Sequence, residues 1–486
     1  MSATVIRNAD WAVLWDQTAG RHVYRRNVDV AFQGNRIVHA GPGFAGPAAR
    51  VIDGSRRLVM PGLVNVHTHC MSENLGRGLT EELGNPALYM SALYDLKAVF
   101  LVAHSMSLEG DQVDGVRAAT EVALGELLLS GVTTVADLAV PYEGWLDILA
   151  ASGIRGVAAP MYRSARWVVR TGNQLEYDWD EEAGRRAFDQ ALAVVDAAGK
   201  HPSGRLSGMV SPAQVDTCSA ELLTDSLAAA AERNMPITLH CSQSVVEFQE
   251  MARRHGMSPV QWLAKIGFLG PRTLLAHAMF VDSQSWVGWW SKRDIALLAE
   301  TGTSVAHCPT VFSRYGQAME SFGGYVRAGV KMAIGTDTQP HNMLEELRTA
   351  LILSRVTSRD VHSVSLSDAF HAATVGGAHA LGRDDIGRIA PGAKADLTLV
   401  DLDHPAMQPA RDPLRSLIFS AADRAVHDVF VDGRQVVEAG RVTTIDRRSA
   451  AERLTRAQRI VMQAVPKVDY AGRSADQISP LSLTLG

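Results

Sequence analysis

Histidine and aspartate residues stand at or just after the ends of several short apolar runs in the sequence. His67 and His69 end the first run, His240 the fifth and Asp337 the eighth. Residues i and i+2 of a β-strand lie on the same face, so the first two histidines would point into one site. Imidazole nitrogens and a carboxylate are ligands that suit zinc. The sequence therefore predicts a site for one divalent metal ion, with zinc favoured and iron, cobalt or manganese as alternatives.

Two further histidines end neighbouring runs, His277 the sixth and His307 the seventh. A histidine in an apolar context is commonly a satisfied core residue, and the chain has 16 histidines, so the H-x-H pair alone is weak evidence. The coincidence of polar residues at several run ends favours ligands, and it makes His277 a candidate for catalysis beside the metal. His307 precedes Cys308 and Pro309, so a structural role is an equal alternative there.

The elements that must position these residues can be read from the same runs. Short apolar runs alternate with longer helical patterns, which is typical of βα units around a parallel sheet. Eight such units form a closed (β/α)8 barrel, in which the carboxyl ends of all strands meet at one mouth. The predicted strands are 63–66, 131–136, 154–159, 206–210, 237–239, 274–276, 304–306 and 331–334.

Both ends of the chain differ from this middle segment. Short strands and turns fill the first sixty residues, and strand patterns return after residue 384, with Asp432-Gly433 as a hairpin turn. Since the strand-rich ends flank the barrel, we expect them to pair as one small β-domain. The predicted organisation is 1–60 and 385–445 as the two parts of that domain, 61–384 as the catalytic barrel, and 446–486 as a C-terminal helix and tail.

Composition limits the classes of partner. The net charge is −5, whereas nucleic acid and anionic membranes call for a basic surface. No apolar stretch reaches the length of a membrane span, and no secretory pattern opens the sequence. The four cysteines are scattered without CxxC spacing, as expected for small buried residues. We therefore predict a cytoplasmic protein with a small-molecule substrate, no nucleic-acid or membrane partner, and assembly as a homodimer or higher homo-oligomer.

Five motifs of the sequence resemble the amidohydrolase superfamily, with a likeness that runs from about residue 1 to 445. They are Pro-Gly-Leu-Val-Asn-Val-His-Thr-His at 61–69, Gly-Val-Thr-Thr-Val-Ala-Asp at 131–137, Val-Ala-His-Cys-Pro at 305–309, Gly-Thr-Asp at 335–337 and Gly-Ala-Lys-Ala-Asp at 392–396. The branch they resemble is the mononuclear one, which contains cytosine and guanine deaminases and the s-triazine chloro- and aminohydrolases. Binuclear members carry a carboxylated lysine on the fourth strand, and residues 205–212 contain no lysine.

The resemblance implies an α/β fold, namely a distorted (β/α)8 TIM barrel with a small β-sandwich domain built from the N- and C-terminal segments. It also implies one divalent metal ion, usually zinc or iron, bound by His67, His69, His240 and Asp337. His277 would hydrogen-bond the hydrolytic water or the substrate. A divalent ion lowers the pKa of bound water from about 15.7 toward 7. Asp337 would accept the proton of that water and return it to the leaving group.

The sequence departs from this branch at two positions. Deaminases of the branch carry H-x-x-E after the fifth strand, whereas this chain reads His-Cys-Ser-Gln at 240–243. Gln243 can orient a substrate but has no titratable proton, so it cannot act as a general acid. After the fourth strand A-P-H becomes Ser-Pro-Ala at 211–213, which removes a substrate-binding histidine. Alternatively, the acid comes from one of three glutamates on the loop after the first strand: Glu73, Glu81 or Glu82.

These features favour a metal-dependent hydrolase that uses a metal-activated water on a small, fairly apolar molecule. The bond would be a non-peptide C–N bond of an amide, urea or carbamate, or a related C–heteroatom bond. One alternative is an aminohydrolase or dechlorinase acting on a nucleobase-like or s-triazine ring, which ammonia release would distinguish. A second alternative is a non-catalytic metal- or ligand-binding barrel. The complete ligand set argues against it, and purification without bound metal would favour it.

Weaker candidates for the substrate pocket lie on loops around these motifs. Several are apolar or aromatic, which indicates an apolar or aromatic substrate. Trp286 falls at helical i, i+3, i+4 spacing with Trp289 and Trp290, which more often indicates a core or a subunit interface. The candidates are Met71, Glu73, Tyr89, Met90, His307, Phe312, Tyr315 and Trp286.

Overall fold

A computed structural model describes residues 2–94 and 111–486 of the chain. Short strands fill the N-terminal part, where turn residues interrupt the sequence every few positions. These strands are β1 (Ala3–Ala9), β2 (Trp11–Asp16), β3 (Arg21–Arg25), β4 (Val28–Gln33), β5 (Arg36–Gly41), β6 (Ala48–Asp53) and β7 (Arg57–Pro61).

The middle of the chain alternates strands with helices. Its strands are β8 (Leu63–Thr68), β9 (Val132–Ala139), β10 (Arg155–Tyr162), β11 (Ala165–Val169), β12 (Leu175–Trp179), β13 (Leu206–Gly208), β14 (Ser211–Pro212), β15 (Ile237–Cys241), β16 (Thr273–His277), β17 (Ser304–His307) and β18 (Lys331–Ile334). Its helices are α1 (Asp111–Leu129), α2 (Trp145–Ala151), α3 (Glu181–Lys200), α4 (Ala220–Glu232), α5 (Val245–His255), α6 (Pro259–Lys265), α7 (Asp294–Thr301), α8 (Pro309–Ser313), α9 (Phe322–Arg327), α10 (Met343–Ser358), α11 (Leu366–His371) and α12 (Gly377–Ala380).

The central strands form two parallel sheets. One has the order β13-β10-β9-β8, with β14 beside β10, and the other has the order β15-β16-β17-β18. Single bridges join the sheets at both edges, from Val210 to Ile237 and from Thr68 to Asp337. Each of the eight predicted runs contributes strand residues to these sheets. The fold is therefore α/β and TIM-barrel-like, which confirms the predicted class at this level.

Burial explains why the runs are apolar. Every residue of β8, β9, β15, β16 and β17 is buried, because helices and loops cover both faces of a parallel sheet. Three of the helices begin at polar caps, since the side chains of Asp180, Ser219 and Ser244 accept N–H bonds at the starts of α3, α4 and α5. Polar side chains buried at the strand ends consequently stand out as functional candidates.

Strands from both ends of the chain share a sheet domain. The C-terminal ones are β19 (Leu397–Asp401), β20 (Val426–Val431), β21 (Arg434–Glu438) and β22 (Arg441–Val442). They join N-terminal strands in the order β22-β21-β20-β19-β7-β2-β3, beside a second sheet of order β5-β4-β1-β6. Ile6, Val30, Phe32, Leu397 and Phe430 belong to one apolar core of this domain. The predicted sheet domain is thus present alongside the parallel sheets.

The C-terminal part of the chain contains α13 (Pro413–Ser416), α14 (Arg447–Val468) and α15 (Ala475–Ile478). Leu454 and Val461 of α14 share a core cluster with Val122 of α1. Arg453 of α14 pairs with Asp114 of α1 at 2.9 Å. Across residues 2–94 and 111–486, no helix combines the length and the apolar character that crossing a bilayer requires.

The tryptophan-rich segment differs from its prediction. Residues 286–290 form no helix, and Trp286 and Trp290 are 44% and 80% exposed. The helical spacing is therefore not realised here and these two residues lie outside the core, while the alternative of a subunit interface stays a prediction. Asp282 explains the irregular path, since its carboxylate accepts bonds from the Ser291 hydroxyl and the Arg293 N–H. Such side chain–backbone bonds compete with helix formation.

Candidate metal centre and cavity

Two backbone hydrogen bonds join the end of β8 to the segment after β18. The Asp337 N–H donates to the His67 carbonyl, and the His69 N–H donates to the Asp337 carbonyl, both at 2.9 Å. Asn65 braces the same junction, since its Nδ2 donates to Thr336 Oγ1 at 2.8 Å across 271 positions of sequence. These main-chain bonds therefore hold His67, His69 and Asp337 next to one another, although they come from opposite ends of the barrel segment.

His69 and His240 face each other at this junction. Their Nε2 atoms lie 3.2 Å apart, and Nε2 of His69 lies 3.3 Å from Asp337 Oδ1. Their Nδ1 atoms donate to the carbonyls of Leu138 and Ala213 at 2.9 and 2.7 Å. Because a carbonyl only accepts, both Nδ1 atoms carry hydrogen, and Nε2 of each ring is the atom left to bind a proton or a metal ion. Two facing nitrogens beside a carboxylate call for a cation between them.

His67 and His277 add nitrogen atoms without partners. Both ring nitrogens of His67 and the Nδ1 of His277 are buried and make no hydrogen bond. Their Nε2 atoms lie 3.3 and 4.0 Å from the oxygens of Asp337. Ligand atoms of His67, His240, His277 and Asp337 all lie within 4.8 Å of one another. A shared metal ion would satisfy these otherwise costly buried atoms, so the residues fit one divalent cation.

Burial sets the protonation of the cluster. It lowers the pKa of His277 to about 3 and holds the pKa of His240 well below its ordinary value, so both rings are neutral at pH 7. Burial also lowers the pKa of His69, but the Asp337 carboxylate outweighs it and raises that pKa to about 9. A proton and a metal ion thus compete for Nε2 of His69, so binding of the metal releases that proton.

Backbone strain accompanies the cluster. His277 and Asp337 have φ angles of 78° and 60°, and Ser242, two residues after His240, has a φ of 54°. A left-handed conformation costs a residue with a side chain about 1–3 kcal/mol unless its surroundings impose it. At these strand ends the strained backbone accompanies the convergence of the side chains on one point.

A cavity opens beside the cluster, with His69, His240 and Asp337 in its wall. Gln243 lines this cavity, and its Nε2 is buried without a hydrogen-bond partner. Glu73 lines it as well, and burial raises the pKa of its carboxyl group to about 7. The cavity therefore combines the metal candidates with the neutral amide of Gln243 and a carboxyl group that titrates near neutrality.

Two other glutamates act on the backbone instead. Glu81 accepts bonds from the N–H groups of Gly78 and Thr80 at 3.2 and 3.0 Å. The buried carboxylate of Glu247 accepts bonds from the N–H groups of Ser242 and Gln243. Glu247 thus holds the loop that presents Gln243, and Glu73 is the glutamate in the cavity wall.

The weaker pocket candidates divide into two groups. Phe312, Tyr315 and Glu73 line the cavity, and the Phe312 ring packs edge-on against His277 with centroids 4.8 Å apart. The others lie outside the cavity lining, with Met71 and His307 buried and Tyr89, Met90 and Trp286 more than 40% exposed.

Four further residues of the lining, Arg163, Trp167, Gln214 and Gln317, are not among the residues predicted from sequence. Arg163 and Gln214 follow the third and fourth barrel strands closely, so the rule that function lies after barrel strands could have found them. Trp167 lies on the β11–β12 hairpin and Gln317 on a loop after α8, where no strand-end pattern points to a site.

A sequence profile of the amidohydrolase family matches residues 58–436, which is most of the chain. The 5-methylthioadenosine/S-adenosylhomocysteine deaminase of Symbiobacterium thermophilum is 31% identical over 431 residues, covering 87% of this chain and 91% of that protein. The overall identity is modest, but the coverage of both chains is nearly complete. The sequence likeness therefore extends beyond the metal motifs.

Solved structures resemble the chain over almost its full length. An adenosine deaminase from Xanthomonas campestris with bound zinc matches with a TM-score of 0.78 and 25% identity, covering 95% of this chain and 99% of that one. The zinc complex of the atrazine chlorohydrolase TrzN from Arthrobacter aurescens TC1 matches with a TM-score of 0.79 and 23% identity, covering 94% and 100%. The second likeness is one of fold.

Proposed function

The chain belongs to the amidohydrolase family and is a metal-dependent hydrolase of non-peptide C–N bonds, and we propose that it releases ammonia from a nucleobase-like ring. The observation that carries the proposal is the cluster of imidazoles and one carboxylate beside a cavity with amide and aromatic walls. The purine-nucleoside deaminases among its relatives support this choice of substrate class.

The site takes one divalent metal ion, and zinc suits its nitrogen-rich ligand set best. In this proposal His67, His69, His240 and Asp337 hold the ion, with His277 beside them. When bound, the ion supplies Lewis acidity and lowers the pKa of a water from about 15.7 toward 7. The neutral His277 ring, packed against Phe312, orients the attacked part of the substrate.

Asp337 and Glu73 move the protons of the reaction. Burial opposes ionisation of Asp337, but the surrounding imidazoles hold its pKa well below the ordinary value, so the group is an ionised carboxylate at pH 7, which is the form that can accept a proton from the attacking water. Glu73, with a pKa of about 7, can protonate the ring nitrogen. Protonation of the ring nitrogen needs an acid, and the Gln243 amide has no titratable proton.

The cavity walls suit a planar ring with hydrogen-bonding edges. Phe312 and Tyr315 offer aromatic surfaces, and Gln214, Gln243 and Gln317 offer amides that can donate and accept. Pockets with apolar walls and a few polar groups bind and orient such ligands.

A second candidate function is hydrolysis of a urea, carbamate or amide. Gln243 favours it, because such a substrate has no ring nitrogen to protonate and Asp337 could serve as the only proton shuttle.

A panel assay on the zinc-loaded protein separates these functions. It would contain 5′-methylthioadenosine, adenosine, guanine, cytosine and atrazine, together with a phenylurea and a thiocarbamate, with products read by mass spectrometry and ammonia release. We expect ammonia from at least one aminated ring. Turnover of only the urea or thiocarbamate would favour the second candidate. Full zinc occupancy without any turnover would contradict both.

A further inference from the structure

A short segment after β8 supplies two residues of the cavity wall. Glu73 and Thr80 both line the cavity, whereas Leu75 and Leu79 between them are buried in an apolar cluster outside the lining. The segment therefore presents its polar ends to the cavity and its apolar middle to other elements. What this middle part contacts decides where the Glu73 carboxyl group stands.

The local structure of this segment is too short to hold itself in place. Glu73 begins a 3-10 helix of four residues, Glu73–Gly76, and Ser72 in front of it makes no side-chain capping bond. Helices this short are marginal on their own, because few backbone bonds offset the entropy lost when the turn forms. The last carbonyl groups also lack partners within the helix. The position of Glu73 consequently depends on neighbouring elements.

Helix α14 provides partners for this turn. Nε2 of Gln458 donates to the carbonyl of Leu75 at 2.9 Å and to the carbonyl of Arg77 at 2.8 Å. A side-chain amide nitrogen carries two hydrogens, so one residue serves both carbonyl groups. Leu75 and Leu79 also share their apolar cluster with Leu454 of α14. The C-terminal helix thus contacts the turn that carries Glu73 through both polar and apolar groups.

Helix α1 contacts the same turn. Asn74 Nδ2 donates to the Ala119 carbonyl of α1 at 3.1 Å, and Ala119 belongs to the apolar cluster that contains Leu75. Among these contacts, those of Gln458 can be removed most cleanly. Because Gln458 is only half-buried, its replacement opens no cavity in the apolar cluster.

We propose that Gln458 is a positioning residue, which holds Glu73 at its place in the cavity wall through the carbonyl groups of Leu75 and Arg77. The inference rests on the proposed function, because Glu73 matters to the reaction as the acid. Misplacement of a reacting group by about 1 Å can cost about a hundredfold in rate. Without the Gln458 amide the turn keeps its apolar contacts, but its carbonyl groups lose the bonds that fix them.

Replacement of Gln458 by glutamate removes both N–H donors at nearly constant side-chain shape. Gln463→Glu is the matched control, since Gln463 is an exposed glutamine on the same helix and the change in charge is the same. Gln458→Lys is the rescue variant, because an ammonium group can donate to both carbonyl groups.

Amide hydrogen exchange of the zinc-loaded protein, read by mass spectrometry, reports on the turn directly. We expect the amides of residues 74–80 to exchange about tenfold faster in Gln458→Glu than in the wild type. Gln463→Glu should exchange as the wild type does, and Gln458→Lys should lie closer to the wild type than Gln458→Glu. Unchanged exchange of residues 74–80 in Gln458→Glu, or an equal acceleration in Gln463→Glu, would overturn the inference.

Steady-state rates on the ring that releases ammonia show whether Gln458 acts through Glu73. We expect Gln458→Glu to lower kcat about ten- to a hundredfold, with a KM within about threefold of the wild type. In the Glu73→Gln background the same substitution should have little further effect, since residues that act through one another are not additive. An equal loss of kcat in both backgrounds would indicate a general structural role and overturn the inference.

The two measurements separate this inference from the proposed function. If the wild type releases no ammonia from any aminated ring, the function fails, and the exchange of residues 74–80 alone decides whether Gln458 holds the turn. If ammonia is released and Glu73→Gln keeps the wild-type rate, the function stands, and the positioning role of Gln458 is wrong.

Discussion

At the scale of single residues, the proposed function assigns the acid to Glu73 and leaves Gln243 to orient the substrate. Gln243 presents a buried amide nitrogen without a partner, and Glu73 presents a carboxyl group whose pKa burial raises to about 7. If Glu73 is the acid, its protonated form is active, so kcat should fall as pH rises through about 7. We expect Glu73→Gln to lower kcat about a hundredfold and to abolish that alkaline decline.

A double variant tests the same role of Glu73 as the acid. In the Glu73→Gln background, Gln243→Glu should restore part of kcat, because it returns a carboxyl group to the cavity wall. Gln214→Glu in the same background is the matched control, since Gln214 also lines the cavity. Steady-state rates from pH 5 to 9 provide the measurement. A wild-type rate in the Glu73→Gln single variant would show that Glu73 is not the acid.

Asp337 should be indispensable for turnover but not for folding. Asp337→Asn removes the carboxylate that accepts the proton of the attacking water, so we expect kcat to fall at least about a hundredfold. The Asp337 N–H and carbonyl keep their bonds to His67 and His69, so circular dichroism should remain that of the wild type. Near-normal activity in the metal-replete variant would refute the role given to Asp337.

At the scale of elements, Arg155 links the parallel sheets to the sheet domain. It lies at the start of β10, is 3% exposed, and makes two bonds of 3.1 Å to Asp396 and one of 2.9 Å to Asp432. Arg155→Ala leaves the buried Asp396 without its cation, whereas Asp432 keeps Lys394 at 3.2 Å, so the free energy of unfolding should fall by about 3–5 kcal/mol.

Urea denaturation of the metal-free protein measures this loss. Arg166→Ala is the control, because its pair with Asp178 is exposed and separated by 3.7 Å. That variant should change the free energy of unfolding by about 1 kcal/mol or less. Equal effects of the two substitutions would contradict the linking role of Arg155.

Elements could be predicted from the sequence where one periodicity dominates. All residues of β8 and β9 are buried, and such strands appear as continuous apolar runs. The β11–β12 hairpin could not be predicted this way, since its strands are partly exposed and follow no barrel strand pattern. At Trp286 and Trp290 the helical spacing was misleading, because the bonds to Asp282 keep the loop irregular.

At the scale of the whole molecule, the candidate site exists because the first and last central strands meet. His67 and Asp337 are far apart in sequence, and the bridge from Thr68 to Asp337 joins them. Strand-end position predicted His67, His69, His240, His277 and Asp337 as neighbours, and the structure brings them together. The strand-end rule does not reach Trp167 and Gln317, which line the cavity from a hairpin and a loop.

The central claim is that these side chains hold one divalent cation, and anomalous diffraction tests it most directly. Crystals of the zinc-loaded protein would be measured on both sides of the zinc absorption edge. We predict one anomalous peak per chain, about 2.0–2.2 Å from imidazole nitrogens of the cluster and from an oxygen of Asp337. An empty cluster in zinc-soaked crystals, or a peak that Asp337 does not contact, would contradict the claim.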